Sequence, residues 1–339
     1  MTISARIVAD SISPHGVRLT TFELEYPRFC HSEFMTHRMF SRNAASSRAI
    51  PVKKAIELIR QDTAKPIHWG KNQPGMSAKE ECESSVNMPS AFETFVNPED
   101  SGWTHATRDI PREAAWSLAR NAAIEAAESF DKAGYHKQIV NRMLEPFSHI
   151  KVVCTATEYD NFFYLRCHPD AQPEIQKLAE LTYEARKASV PVKLLPGSWH
   201  TPYFKNGQWI PTSYSDAYGE MDDHGATLED ALAISASCCA QVSYRVLDDS
   251  LEKAQDIYKR LVESKPVHAS PFEHQGTPMK EDRFREDDQV LLYVLEGDDA
   301  DTVGTTHFDR RGYAWSGNLK GWVQHRQLIP DNTQWSFAP

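Results

Sequence analysis

The sequence predicts an α+β protein. Two observations carry that reading. Near the N-terminus, Phe22, Leu24 and Tyr26 alternate with polar residues, the period-two pattern of a half-buried strand. Later segments repeat apolar residues at helical spacing, while strand-like runs stay few and short, so helices and strands do not alternate as in a parallel sheet.

The elements follow in order. The first 40 residues read as strand, centred on 17–26 and punctuated by Pro27. Residues 51–60 are helical in pattern, and 62–108, polar and rich in Pro, Asn and Gly, read as an irregular excursion. Pro111 opens a helix with Trp116, Ala119, Ala123, Ala126 and Phe130 on one stripe, closed by Gly134. A further helix carries Ile139 and Met143 and ends near Pro146. Residues 150–155 form a β-branched strand. Helices cover 172–188 and 228–243, the second opened by Thr227 and Asp230 at capping-box spacing. Ser250 caps another, bearing Ala254, Ile257, Tyr258 and Leu261. A loop at 266–278, a strand at 290–294 and a segment at 321–326 follow.

Composition narrows the function. With 339 residues and 40% hydrophobic content the chain can bury one large core or two ordinary ones. No apolar run approaches the roughly 18–20 residues that span a bilayer, so no membrane partner is expected. The opening MTISARIVADS lacks the apolar core of a secretory signal, and the expected location is the cytoplasm. A formal net charge of −10 argues against a nucleic-acid polymer as partner. The six cysteines contain no C-x-x-C, so neither a zinc knuckle nor a disulfide framework is signalled.

The densest chemistry lies between Thr36 and Arg48, which gathers arginines, serines, a histidine and an asparagine around Met39 and Phe40. Such a segment is either a solvated basic loop or a cradle of forks and hydroxyls for phosphate oxygens. Arg142 and Arg166 sit among apolar neighbours, where a bare charge needs either a structural carboxylate or an anionic ligand. The run from Val267 to His274 holds two histidines and a glutamate, but further ligands at metal-binding spacing are absent and no metal is expected. Cys238 and Cys239 on a helical face read as core. No glycine-rich nucleotide fingerprint or Walker A sequence is present.

Together these segments resemble the flavin-dependent thymidylate synthases. That family's signature, R-H-R-x-x-S-x-N-E-x-S-x-R, is matched by His37, Arg38, Ser41, Asn43, Ser46 and Arg48, with Thr36 and Ala44 in place of its first arginine and its glutamate. Pro27 precedes the motif as in the family. Arg142 with Pro146, Asn161 with Arg166, and Ala171-Gln172-Pro173-Glu174-Ile175 resemble its later segments in order. The family's N-terminal pieces resemble Ala240–Tyr244, the helix at 250–264 and His268–His274, which here come near the end, so the element order looks circularly permuted. The resemblance covers roughly 17–50, 111–186 and 228–275.

The resemblance implies a mixed or antiparallel sheet with a helical bundle. It implies a signature, helical and nucleotide-binding part at 1–190 and a permuted flavin-site part at 228–339, intertwined as one catalytic domain. The implied activity is C5 methylation of dUMP to dTMP with FAD, methylenetetrahydrofolate and NADPH, in a homotetramer whose sites draw on several subunits. Arg166 would polarise the uracil. Arg48 and Arg142, with Ser46 and Ser47, would hold the phosphate, and Glu33, Thr36 and Ala44 would stand beside the nucleotide. His37, Arg38, Asn43, Thr155, Thr157, Asn161, Ser243, His268 and Ser270 would line the flavin. The exchange of charged ligands at Thr36 and Ala44, and a carboxylate at Glu33 where the family has glutamine, leave two alternatives. One is a related transfer such as hydroxymethylation, and the other is a nucleotide-binding homologue without catalysis. Trp322–Arg326 is either a source of replacement ligands or a surface segment.

Overall fold

Phe22, Leu24 and Tyr26 share a face of the central strand of the main sheet. The structure, a computed structural model, describes residues 2–75, 78–96, 103–214, 225–243, 247–263, 265–281 and 303–333. Its strands begin with β1 (Ser4–Ile12), β2 (Arg18–Pro27), β3 (Ser41–Ala44), β4 (Val86–Val96), β5 (Trp103–Ile110), β6 (His149–Ala156) and β7 (Val192–Lys193). There follow β8 (Trp199–His200), β9 (Gln208–Trp209), β10 (Gly276–Pro278), β11 (His307–Phe308), β12 (Ala314–Ser316), β13 (Leu319–Lys320) and β14 (Trp322–Gln324). The helices are α1 (His31–Phe34), α2 (Val52–Gln61), α3 (Arg112–Lys132), α4 (Lys137–Val140), α5 (Asp160–Arg166), α6 (Pro173–Ala188), α7 (Leu228–Ala240) and α8 (Leu251–Val262).

The main sheet runs β3-β6-β2-β1-β7 and is antiparallel except where β7 joins β1 in parallel. The fold is therefore α+β with a mixed sheet. Register places Phe22 opposite Cys154, Leu24 opposite Val152 and Tyr26 opposite Ile150. These side chains form one buried cluster with Phe162 and Phe163 of α5 and Ile175, Leu178 and Ala179 of α6. Burying a side chain such as Phe22 or Leu24 contributes about 1.5–3 kcal/mol. On the other face of the same pair, Thr21 lies opposite Thr155, and the hydroxyls hydrogen-bond at 2.7 Å.

A second sheet, β14-β10-β8-β9, brings the C-terminal part onto that polar face. Gly207, at φ +89, permits the approach, because a Cβ there would come within 2.7 Å of Ala9 Cβ in β1. Further bonds join distant segments: Asn43 Nδ2 donates to Cys239 O at 3.2 Å, Ser41 Oγ to Asn318 Oδ1 at 3.0 Å, and Tyr203 OH to Glu23 at 3.1 Å. A separate cluster packs α2 against α3 and the turn Asn141–Phe147 through Ile56, Ile59, Ile124 and Leu144.

Six expectations need correction. The first 40 residues are not strand throughout, because β2 gives way to a 3-10 turn at Arg28–Cys30 and to α1. The loop expected at 266–278 holds a 3-10 turn, Ser270–Glu273, and ends in β10. The stretch 62–108 is not wholly irregular, because β4 and β5 pair as an antiparallel hairpin. The α3 stripe is displaced, with Ala115, Ile124 and Ala127 buried while Ala119 and Phe130 are exposed. Neighbouring elements, rather than the helix's own apolar count, select the buried face. The helix expected through Met143 is a short α4 followed by a 3-10 stretch, Asn141–Phe147, that tolerates Pro146. The segment around Trp322 is neither surface nor spare: Trp322 and Gln324 are buried, and Arg326 pairs with Glu273. The capping box at Thr227 and the Ser250 cap are present as expected. Tyr244 and the strand expected at 290–294 lie outside the described residues, as does the side chain of Ser243. Among the described residues, no helix is long and apolar enough to cross a membrane.

Candidate active site

The signature segment leaves β2 through a turn, crosses α1 and returns as edge strand β3. Arg42 staples that turn: its Nη1 donates to the carbonyls of Phe34, Met35 and His37 at 3.3, 3.0 and 3.1 Å. The bend therefore has a fixed shape and presents Glu33, Thr36 and His37 on one side. From the other side comes α5, anchored by Phe162 and Phe163 and carrying Arg166 in its last turn.

The two meet at Arg166. Its Nε donates to His37 Nε2 at 3.0 Å and its Nη2 to Thr36 Oγ1 at 3.3 Å, while Nη1 lies 3.9 Å from Glu33 Oε2. Because Nε2 accepts, the His37 proton sits on Nδ1. Burial, with Arg166 and Arg42 nearby, holds the His37 pKa down to about 4, so the ring is a neutral acceptor at neutral pH. Phe162 and Phe40 wall the imidazole, with ring centroids 4.9 and 5.8 Å away. Glu33 Oε2 is buried without a hydrogen-bond donor among the described residues. The result is a guanidinium held by neutral and ionic partners but still 21% exposed, able to offer N–H groups to a planar polar ligand.

The residues assigned to phosphate form a second group. Ser47 Oγ donates to Glu145 Oε1 at 2.7 Å, and Arg142 Nη1 lies 3.2 Å from the same oxygen. Arg48 is exposed, and its backbone N–H donates to Ser46 Oγ at 3.3 Å. Ala44 ends β3 and is half-buried. No hydrogen bond between described residues joins this group directly to the Arg166 cluster. Glu145 escaped the sequence reading, although its spacing three residues after Arg142 was a usable signal.

The flavin-lining candidates divide. Arg38, Asn161, His268 and Ser270 are exposed, and Asn43 is half-buried against Cys239. Thr155 and Thr157, by contrast, are buried and satisfied inside the chain. Thr155 Oγ1 bonds Thr21 Oγ1 and lies 2.8 Å from His274 Nδ1, and Thr157 Oγ1 accepts from Lys320 N at 3.1 Å. Arg38, Asn161, His268 and Ser270 make no hydrogen bond to one another among the described residues, whereas the two threonine hydroxyls are buried and already paired.

Behind Thr155 runs a sealed polar chain that sequence reasoning missed. Ser11 Oγ lies 2.8 Å from His200 Nδ1, His200 Nε2 lies 2.8 Å from Thr21 Oγ1, and Thr21 leads through Thr155 to His274. Burial pushes both histidines down to about 3, so both are neutral.

A family profile described as Thy1, thymidylate synthase complementing protein, matches residues 12–192, a little over half of the chain. Thymidylate synthase X from Helicobacter pylori, solved with FAD and dUMP, is 15% identical, with a TM-score of 0.31 over 50% of this chain and 67% of that one. The UMP/dUMP methylase PolB from Streptomyces cacaoi, bound with 5-Br dUMP, is also 15% identical, with a TM-score of 0.36 over 54% of this chain and 89% of that one. A comparison with curated protein sequences finds no match. On the match that spans the signature, α3, β6, α5 and α6, the chain belongs to the Thy1 family of thymidylate synthase complementing proteins.

Proposed function

We propose that the protein methylates C5 of dUMP to give dTMP, with FAD, methylenetetrahydrofolate and NADPH. The observation that carries this reading is that Glu33, Thr36 and His37 all lie within hydrogen-bonding or ion-pair reach of Arg166. In this reading Arg166 keeps its bond to neutral His37 and turns its remaining N–H groups to a uracil oxygen. It stabilises the negative charge that the base gains when C5 becomes the nucleophile. Arg48, Arg142, Ser46 and Ser47 take the 5′-phosphate, with Arg142 leaving Glu145 to do so, while Glu33, Thr36 and Ala44 flank the nucleotide.

FAD, when bound, would supply the redox chemistry of the reaction. His37, Arg38, Asn43, Asn161, Ser243, His268 and Ser270 are the residues that would hold it. Thr155 and Thr157 contribute by fixing β6 rather than by touching the cofactor. Residues 1–190 and 228–339 act as one intertwined catalytic domain of permuted element order, a reading supported by the Thr155–His274 and Asn43–Cys239 bonds. The working assembly is a cytoplasmic homotetramer, in which exposed Arg48 and Arg142 of one copy complete the Arg166 cluster of another.

One alternative has a specific observation behind it. Glu33, whose buried Oε2 accepts no hydrogen bond and lies 3.9 Å from Arg166 Nη1, would position a water; the water's oxygen adds to the one-carbon unit held on C5, its proton passes to solvent, and that carbon ends as hydroxymethyl. Incubation with FAD, NADPH, methylenetetrahydrofolate and dUMP, read by mass spectrometry of the nucleotide, separates the readings. dTMP is the expected product. 5-Hydroxymethyl-dUMP would replace the main reading by the alternative, and an unchanged nucleotide that also fails to bind would overturn both.

A further inference from the structure

The signature bend is held from a second side by a segment beyond the family match, which ends at residue 192. Strands β12 and β13 join through a two-residue loop, Gly317-Asn318. Gly317 takes φ +58 there, the positive φ that such tight hairpins need at their first loop position, and a Cβ on it would run into Gln324 Oε1. Asn318 takes no left-handed φ, so the backbone does not demand asparagine and the reason for one lies in its amide.

Three bonds engage that amide. Its Nδ2 donates to the Met39 carbonyl at 3.0 Å, and its Oδ1 accepts from Ser41 Oγ at 3.0 Å and from Gln324 Nε2 at 2.8 Å. The partners fix its orientation: turned over, Nδ2 would face the Gln324 donor and Oδ1 the Met39 carbonyl. Gln324 is buried and also donates to the Glu273 carbonyl at 3.1 Å, so the hairpin tip rests on a buried post.

Met39 and Ser41 flank Phe40. The Phe40 ring is buried, with the Phe34, Tyr159 and Phe162 rings 5.6, 4.9 and 5.3 Å away, and it stacks on the His37 imidazole at 5.8 Å and 30°. His37 in turn accepts from Arg166 Nε at 3.0 Å. Arg42 holds the carbonyls of residues 34, 35 and 37, all before Phe40, whereas Asn318 holds an atom on either side of it. A continuous set of contacts therefore runs from the hairpin tip through Phe40 to the guanidinium.

We propose that Asn318 is a positioning residue for the Arg166 cluster, holding Phe40 against His37 and so fixing the direction in which Arg166 presents its remaining N–H groups. Its effect on turnover rests on the function proposed above. Without the pin, residues 39–41 gain freedom, the imidazole loses its wall and the guanidinium loses a fixed partner. A misplacement on the order of 1 Å can cost about 10²-fold in rate. Binding of dUMP, which draws on the separate phosphate group, changes little.

The test is the full chain with Asn318→Ala, read by amide exchange without ligand, by melting, and by kcat and KM for dUMP with FAD, NADPH and methylenetetrahydrofolate. Exchange at 36–41 should quicken while β2 and β6 stay unchanged. The kcat should fall about 10–10²-fold while KM moves less than about threefold. In a double-mutant cycle with Phe40→Leu the two losses in kcat should overlap rather than multiply, which a general loss of stability would not produce. Asn318→Asp keeps the acceptor for Ser41 and Gln324 and gives up the donor to Met39. It should show the same split, and it serves if the alanine variant does not fold. Parent-like exchange at 36–41, a lower melting temperature with kcat unchanged, or multiplying losses in the cycle would overturn the proposal. No turnover of dUMP by the parent, together with faster exchange at 36–41 in Asn318→Ala, would instead overturn the reading of the Arg166 cluster and leave the pin standing.

Discussion

Two polar groups lie on the same architecture and differ in exposure. The Arg166 cluster is ionic and half-open, with a guanidinium shared among a neutral histidine, a hydroxyl and a carboxylate at 3.0, 3.3 and 3.9 Å. The chain from Ser11 through His200, Thr21 and Thr155 to His274 is uncharged and sealed. Both use histidine and threonine, yet the first retains N–H groups for a ligand and the second spends its hydroxyls on the protein. Residue type alone does not distinguish them. What distinguishes them is whether a residue's partners leave it open at a rim or close it inside the packed sheet; on the proposed function the first group acts on the ligand and the second holds the fold.

The largest expected effect falls on the open cluster. Arg166→Ala should slow the transfer step by roughly 10²–10³, as for loss of a preorganised donor to a developing anion. Its melting temperature should barely move. Single-turnover measurements read the rate, and loss of nucleotide affinity at a normal rate would remove Arg166 from the chemistry. Arg48→Ala should act on binding instead, weakening dUMP by about 1.5–3 kcal/mol for a charged hydrogen bond, as a titration would report.

The sealed chain should respond in stability. His274→Leu leaves Thr155 without its imidazole partner and should cost about 1–3 kcal/mol in urea denaturation. A melting curve indistinguishable from the parent would show that the chain contributes nothing to folding. A further effect is graded with pH. His200 and His274 stay neutral in the fold down to about 3, whereas an unfolded histidine takes a proton near 6.5. Between those values the unfolded state binds more protons, so stability is full above about pH 6.5 and falls on acidification, by up to roughly 1.4 kcal/mol per pH unit for each histidine. His37, held at about 4, adds in the same direction. Urea midpoints at pH 5 and pH 7 check the sign, and an equal or higher midpoint at pH 5 would contradict it.

Local pattern carried the parts of this fold whose cause is local. The alternation of Phe22, Leu24 and Tyr26, the Thr227–Asp230 box and the Ser250 cap were legible because each is decided within a few residues. The hairpin of β4 and β5 was not, because its polar, Pro- and Asn-bearing strands lack an apolar period. The α3 stripe was misplaced because α2 and the Asn141–Phe147 turn choose which residues are covered. In the site, Thr36, His37 and Arg166 were readable through the family's motifs. Arg42 was not, because its role is to hold three carbonyls of a turn whose shape no motif states. His200 meets Thr21 from 179 positions away, and Asn141 meets Ser47 from 94, separations at which sequence spacing carries no signal.

Hydrogen–deuterium exchange with and without dUMP tests the central claim most directly, because it reads both regions in one experiment. The account predicts that dUMP slows exchange at residues 33–38 and 160–166, around the Arg166 cluster. It also predicts that amides of β2 and β6 beside Thr21 and Thr155, already held in the sheet ladder, do not change. Unchanged exchange at 33–38 and 160–166 under saturating dUMP, or protection confined to the sealed strands, would contradict it.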